Sequence, residues 1–443
     1  MKKETIYASV TKNQKTAISI IRISGSRVQK ISETLFKTKP VKNNVNIRNI
    51  FSLNGDFIDQ GIVLLFLKPN SPTGEDVLEL QVHGSFSIIK KIEEELEKIN
   101  GVREAQPGEF TKRSFYNKKL DLLQVEGLED LLDSSTDLQR KQAQLLLMGS
   151  VSSKLNSWRD DLIELGSFIE TAIDFSDEVL PERTIKLFHS KLEDLIVEIT
   201  DAVESAKYSQ KVREGLKVIV TGPPNAGKSS LINCLLDENI SIVSEDPGTT
   251  RDIVSSTVDI DGILVNIYDT AGIHEATNAV EIEGIRRAKE LLKISDIQIK
   301  IVDGKEDNCY ESLDNIPSIN QLTINLINKS DLVERNDKNK LSFINVSTKS
   351  NHNMMEFRKT LKEYIKQVVN KGQDPIILRD RHLKISIMLL ESLKRIKSND
   401  IHFLTELVAE DIRHSLVLIG KITGSVEVED ILDNLFKNFC IGK

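Results

Sequence analysis

Residues 216–230, LKVIVTGPPNAGKSS, constrain the fold more than any other stretch of the chain. Leu216 to Thr221 is a short β-branched apolar run, the pattern of a buried strand. Gly222 to Ser229 fits G-x-x-x-x-G-K-S/T, and helical spacing begins at Leu231. Strand, glycine loop and helix in that order let backbone N–H groups and a helix N-terminus cradle polyphosphate. The loop residues Asn225, Ala226, Gly227, Lys228, Ser229 and Ser230 are therefore the expected phosphate contacts, with Lys228 on the terminal phosphates and the Ser229 hydroxyl on Mg²⁺.

A phosphate loop alone allows either purine. Asn328-Lys329-Ser330-Asp331, at the end of an expected strand about a hundred residues on, decides for guanine. The Asp331 carboxylate can accept from the ring N–H and the exocyclic amino group, donors that adenine does not offer there, and a site reading such a bond discriminates by roughly 10⁴–10⁵. Ser347, Thr348 and Lys349 follow the next expected strand and fit the loop that closes over the base. Asp269-Thr270-Ala271-Gly272 ends another strand; Asp269 is expected to hold Mg²⁺ through water, and the Gly272 N–H to face the γ-phosphate. Thr250, in Gly248-Thr249-Thr250-Arg251-Asp252, is the natural second Mg²⁺ hydroxyl, on a loop of the kind ordered by γ-phosphate and released on hydrolysis. Position 273 is Ile, where Ras-like enzymes carry a water-orienting Gln. Glu281 is the nearest replacement; a solvated Glu favoured by a helix N-terminus is an equally good reading of it from the residues alone.

The chain has 443 residues, a net charge of −8 and a pI near 5.6. Two or three domains are expected, and no basic block advertises nucleic acid. Cys234, Cys309 and Cys440 show no metal-type spacing, which suggests a reducing compartment, the cytoplasm, without a disulfide framework. The start lacks a signal-peptide core and no run is long enough to span a bilayer. Residues 1–118 read as mixed α/β, with strands at Thr5–Val10, Ala17–Ile23, Gly61–Leu67 and Val77–His83 and a helix at Phe86–Ile99. Within Val77–His83, Glu79 reads as solvent-facing, since buried carboxylates are rare. Residues 119–213 turn helical: Leu155, Trp158, Leu162, Leu165 and Ile169 share one face, and a helix opened by Pro181 continues through Leu187, Leu192, Leu195, Ile196 and Ile199. Residues 214–371 alternate strands with helices, with Asp261-Gly262 as a two-residue hairpin turn, which implies a doubly wound parallel sheet with one antiparallel edge. Residues 372–443 return to helix, including a last one at Val428–Phe436. The fold class expected is multidomain α/β plus α, with the nucleotide unit inserted into a helical domain.

The set GPPNAGKSS, GTTRD, DTAG and NKSD, with a terminal FCIGK, resembles the MnmE (TrmE) family of tRNA-modification GTPases, over the whole chain. Outside the nucleotide unit the resemblance rests on Arg22-Ile-Ser-Gly25, Thr73-Gly-Glu-Asp-Val-Leu-Glu-Leu80, Pro107-Gly-Glu-Phe110 and Lys119-Leu-Asp-Leu122. It implies an N-terminal domain that binds formyl- or methylene-tetrahydrofolate and forms a constitutive homodimer, with Arg22, Glu79, Lys119 and Lys443 at the folate-pocket positions. It implies a flavin-dependent partner, MnmG, forming a heterotetramer, and modification of carbon five of the wobble uridine of certain tRNAs. It implies that Ser244, Glu245, Asp246, Pro247, Gly248 and Thr249 line the nucleotide. Of these, Ser244, Asp246 and Thr249 would join Asn225 around a K⁺ ion that stands in for an arginine finger, and Glu281 would orient the attacking water. Cys440 matches the family's terminal cysteine; an inert thiol and a reactive one both remain open. Three stretches depart from the family pattern, Thr11-Lys-Asn-Gln14, Gln81-Val-His-Gly-Ser85 and, where the base-closing Ser-Ala is usual, Ser347-Thr348.

The function expected is thus a K⁺-dependent GTPase of tRNA modification. The rival from another class is a GTP-gated RNA-binding switch in ribosome assembly, against which the lack of a basic module counts. A folate-dependent transferase with a vestigial GTPase is disfavoured by the complete motif set.

Overall fold

A computed structural model of the chain describes residues 4–10, 16–37, 44–174, 181–236, 256–269, 291–306, 308–317, 322–333, 343–369, 376–398, 405–426, 435–436, 439 and 442. It divides into two compact units, Met1–Glu129 with Leu146–Leu155 and Ile419–Lys443, and Asp130–Leu145 with Asn156–Leu418.

The first unit is built on β1 (Thr5–Ser9), β2 (Ile18–Ser24), α1 (Val28–Leu35), β3 (Val45–Phe51), β4 (Phe57–Phe66), β5 (Val77–His83), α2 (Phe86–Glu97), β6 (Val102–Glu104) and α3 (Glu109–Tyr116). Its sheet runs β3-β4-β5-β2-β1-β6, antiparallel except for the β1–β6 pair. Alternation sends Ile21, Ile23, Val63, Leu65, Leu78 and Leu80 to one face, where α1 and α2 cover them with Val28, Ile31, Ile89 and Ile92. Each such side chain contributes ~1.5–3 kcal/mol on burial. The period-2 reading located β1, β2 and β5 to within a residue. β4 begins four residues earlier than expected, because Phe57–Gln60 pair with β3, a strand whose exposed Val45 and Ile47 hid its alternation.

Four helices follow: α4 (Leu122–Asp133), α5 (Asp137–Leu147), α6 (Ser150–Asp174) and α7 (Glu182–Glu214). Leu155, Trp158, Leu162, Leu165 and Ile169 of α6 are buried as expected, and the Trp158 indole N–H donates to Glu198 Oε2 of α7 at 2.9 Å. In α7 Leu192, Leu195 and Ile199 are buried as expected, but at the start of that face Phe188 is buried and Leu187 is 46% exposed, since the larger ring claims the core. Glu182 in its first turn and Lys211 and Arg213 in its last complement the helix dipole.

The second sheet comprises β7 (Leu216–Thr221), β8 (Ser256–Ile260), β9 (Ile263–Asp269), β10 (Ile297–Asp303), β11 (Thr323–Asn328) and β12 (Ile344–Asn345), in the order β12-β11-β10-β7-β9-β8. All pairs are parallel except β8–β9, the expected antiparallel edge. Asp261 (φ 54°) and Gly262 (φ 82°) turn that hairpin, the left-handed pair its tight turn demands. Helices α8 (Lys228–Leu236), α9 (Cys309–Asn315) and α10 (Met354–Val369) pack against this sheet, and α11 (Asp380–Ser398) and α12 (Thr405–Thr423) complete the described elements. The expected helix Val428–Phe436 lies outside the described residues but for its last two.

Candidate functional site: a guanine nucleotide cleft

The C-terminal ends of β7, β9, β10 and β11 lie side by side, the end of an open parallel sheet where ligands bind. Gly222 leaves β7 so close to the neighbouring strand that a Cβ there would lie 2.0 Å from the Ile301 carbonyl oxygen. Asn225 (φ 61°) and Gly227 (φ 98°) then take left-handed conformations that wind the loop into the first turn of α8. A Cβ on Gly227 would meet Asn328 Nδ2 at 2.2 Å, so the phosphate loop and the guanine loop share this contact only because residue 227 has no side chain.

Lys228 opens α8 and is 5% exposed. Its ammonium donates to the carbonyls of Gly222 (2.9 Å) and Pro223 (3.0 Å). Burial pushes its pKa down, with Asp269 opposing, so an incoming polyphosphate would relieve a desolvated charge. The Ser229 hydroxyl donates to Asp269 Oδ2 at 2.8 Å. Serine hydroxyl and carboxylate are the hard oxygen donors that suit Mg²⁺ beside phosphate, and the fold brings them together from two strand ends.

The base side is equally connected. Asn328 Nδ2 donates to the Ala226 carbonyl (3.0 Å) and its Oδ1 accepts from the Thr348 N–H (3.2 Å). Asp331 Oδ1 accepts from the Ser347 hydroxyl at 2.6 Å. That bond holds the Asp331 carboxyl below its usual range, keeping it ionised as an acceptor for guanine donors. Ser347 Oγ also accepts from the Ser350 N–H, and the Cys234 thiol donates to the Thr348 carbonyl at 3.2 Å. Lys329 (φ 63°) donates to the Asn225 carbonyl and pairs with Asp303. Asp303 was not expected from the sequence; the only signal for it is its place as the last residue of a buried strand.

Thus Asn225, Ala226, Gly227, Lys228, Ser229, Asp269, Asn328, Lys329, Asp331, Ser347 and Thr348 converge on one cleft, with Ser230 and Lys349 exposed beside them. The predicted residues Ser244, Glu245, Asp246, Pro247, Gly248, Thr249, Thr250, Thr270, Ala271, Gly272 and Glu281 lie outside the described residues, as do Cys440 and Lys443.

In the first unit the structure corrects the reading of Glu79. Its side chain is 13% exposed and pairs with Arg22 Nε at 2.7 Å, directly across β2 and β5. A lone strand Glu looks solvent-facing until the opposing Arg is known, and only the register supplies that. Arg22 also donates to the Gly442 carbonyl (3.3 Å) and lies over the Phe110 ring. Lys119 is exposed just after α3, its backbone N–H on the Ser114 carbonyl, and among the described residues it does not join the Arg22–Glu79 pair. The Thr73–Leu80 motif works locally: Thr73 and Glu75 bond the Ser24 hydroxyl, and Asp76 accepts from Gln29 and the Lys68 N–H. In the departing stretch, His83 Nδ1 bonds Asp59 Oδ1 at 2.9 Å.

Comparison with known proteins covers almost the whole chain. The family described as GTP-binding protein TrmE N-terminus matches residues 5–119, and the one described as MnmE helical domain matches residues 122–440. The tRNA modification GTPase MnmE of Rickettsia bellii (strain OSU 85-389) is 38% identical over 454 residues, covering 99% of this chain and 100% of that protein. The proteins of that name from Wolbachia sp. subsp. Brugia malayi (strain TRS) and Phenylobacterium zucineum (strain HLK1) are 37% and 36% identical, over 446 and 449 residues, each across 99% of this chain and 99% and 100% of their own lengths.

Proposed function

Because the chain belongs to the MnmE family of tRNA modification GTPases, we propose that it couples K⁺-dependent GTP hydrolysis to modification of carbon five of the wobble uridine of certain tRNAs. It is a GTP hydrolase with tRNA as its substrate and Mg²⁺ beside the nucleotide. The observation that carries the finer reading is the conjunction, in one chain, of a TrmE N-terminal region with a full guanine-reading cleft. Asp331 reads the base, Lys228 and Ser229 take the phosphates and Mg²⁺, and Asp269 helps place the ion.

Hydrolysis needs a group that neutralises charge in the transition state and one that aims the water. Asn225 with Ser244, Asp246 and Thr249 is the proposed K⁺ site, doing work worth roughly 10³–10⁵ in rate when an arginine does it. Glu281 is the proposed water-positioning residue, since Ile273 cannot hold water. Thr250 completes the Mg²⁺ shell. The segment division at 118, 213 and 371 remains our assignment. Residues 1–118 are proposed to bind formyl- or methylene-tetrahydrofolate, with Arg22 and Glu79, already paired, joined by Lys119 and Lys443. The same residues are proposed to form the homodimer, and the helical residues to bear the flavin-dependent partner MnmG, all in the cytoplasm where tRNA is found. Support for the dimer comes from the sheet face opposite α1 and α2, where Ile18, Val45 and Ile47 remain exposed. No helix among the described residues is long and apolar enough to cross a membrane.

Nucleoside mass spectrometry on cells lacking the gene tests the proposal. The expected result is wobble uridine without its carbon-five group, restored by the wild-type gene. Normal nucleosides with abnormal ribosome sedimentation would favour the ribosome-assembly switch instead.

A further inference from the structure

The nucleotide-binding sheet is joined to the helices at two places in the chain, and both are held by one carboxylate. The first is the end of α7, an uninterrupted helix of 33 residues whose last turn carries Arg213. Gly215 (φ 84°) follows, and then β7, whose end is the phosphate loop. The second is the start of α11, immediately preceded by Arg379. Asp130, near the C-terminal end of α4, accepts from both. Its Oδ1 takes Arg213 Nε at 2.9 Å and Arg379 Nη2 at 2.7 Å, and its Oδ2 takes Arg379 Nε at 3.2 Å. The Asp130 and Arg379 side chains are only 14% and 11% exposed. A two-toothed guanidinium–carboxylate contact of this kind fixes direction as well as distance. Two cations on one anion also tie Arg213 and Arg379 to each other through Asp130.

The neighbouring bonds lead from this clamp to the nucleotide cleft. Gln139 of α5 donates to the Arg213 carbonyl (2.9 Å) and Asn266 of β9 to the Glu214 carbonyl (3.0 Å). Three residues on from Asn266 is Asp269, bonded to Ser229 beside the phosphates. Strand β9 thus carries the proposed Mg²⁺ carboxylate at its end and, at its middle residue Asn266, the bond to the last turn of α7.

We propose that Asp130 is a positioning residue for the tRNA reaction: by holding Arg213 and Arg379 together it makes the two joints move as one, so that displacement of β9 on hydrolysis reaches the helices undiminished. This rests on the proposed function, in which GTP hydrolysis is coupled to tRNA modification, with the added premise that the coupling is a conformational step. A bistable element biased by the nucleotide can act at a distance only if the connection to it is stiff.

The test is Asp130→Asn in the full chain, with Asp130→Glu as the conservative variant. Three quantities are compared: GTP kcat and KM, the thermal midpoint, and the modified-nucleoside content of a deletion strain carrying each variant at matched protein level. For Asp130→Asn, kcat and KM stay within about twofold of wild type while modified nucleoside falls by about fivefold or more, and Asp130→Glu recovers most of it. Modification unchanged in Asp130→Asn overturns the proposal. So does a loss of GTP turnover in step with modification, which would make Asp130 a scaffold for the nucleotide cleft. A deletion strain with normal nucleosides would instead remove the function on which the proposal stands.

Discussion

Asp331, the proposed purine-reading carboxylate, can discriminate only while it is ionised and aimed. The Ser347 hydroxyl does both, by a bond that also holds the carboxyl below its usual range. Since protonation begins only below that lowered value, the ratio of GTP to ATP affinity, in which the shared triphosphate titration cancels, is expected to stay flat as pH falls from 7 to 5, checked by titration calorimetry. Replacing Asp331 by Ala removes the acceptor and is expected to erase a GTP-over-ATP preference of roughly 10⁴, measured as the ratio of dissociation constants. Glu95, in the first unit, offers a second titration. Lys98 and then the Leu53 N–H hold its pKa down to about 2, so the folded state binds its proton less readily than the unfolded chain does. The stability it contributes is complete above the ordinary carboxylate pKa and is lost as pH falls from about 4.5 toward 2. Glu95→Gln should therefore lower the thermal midpoint at pH 7 and narrow the gap to wild type below pH 3. The placing of Asp331 beside Asn328 and Ser347 was legible because the NKxD tetrapeptide follows an expected strand. The Glu95 and Arg22–Glu79 partners were not, because a strand or helix pattern says which residues share a face but not which residue stands opposite.

At the scale of elements, the cleft depends on strand ends that approach more closely than side chains permit. Gly227→Ala places a Cβ 2.2 Å from Asn328 Nδ2 in a backbone conformation that L residues avoid. Either the phosphate loop or the base loop must move, so GTP binding by calorimetry should weaken at least about a hundredfold, and the thermal midpoint should fall as well, because Asn328 ends β11 and the left-handed backbone at 227 strains a Cβ. The strands were readable as elements and misleading in detail. β10 is buried along both faces, Gln298 and Lys300 included. The Gln298 Nε2 and the Lys300 ammonium donate to the carbonyls of Pro317 and Ile316, a loop that no period-2 count could have brought there. α3 was invisible because eight residues hold too few apolar positions to show a period.

For the whole molecule, the proposed cation and the proposed dimer make a joint prediction. If two nucleotide units pair across K⁺, hydrolysis in KCl should far exceed that in NaCl, because the smaller ion fits the proposed site poorly, and equal rates would remove the cation from the mechanism. Pairing also requires the two units to be near each other, which a constitutive dimer supplies as a high effective concentration, about millimolar for short connections. Turnover per chain in the wild type should then be independent of protein concentration. Ile47 stands 65% exposed on the edge strand β3, on the uncovered sheet face. Ile47→Glu puts a charge in any interface formed there without touching the buried face, so the chain should fold with an unchanged thermal midpoint yet sediment as a monomer. Its specific activity in KCl should fall at low micromolar concentration and climb as protein is added, the signature of units that must now find each other by diffusion. A variant that sediments as a monomer but keeps concentration-independent, K⁺-stimulated turnover would mean that each nucleotide unit assembles its cation site alone. One that remains a dimer would place the interface elsewhere on residues 1–118.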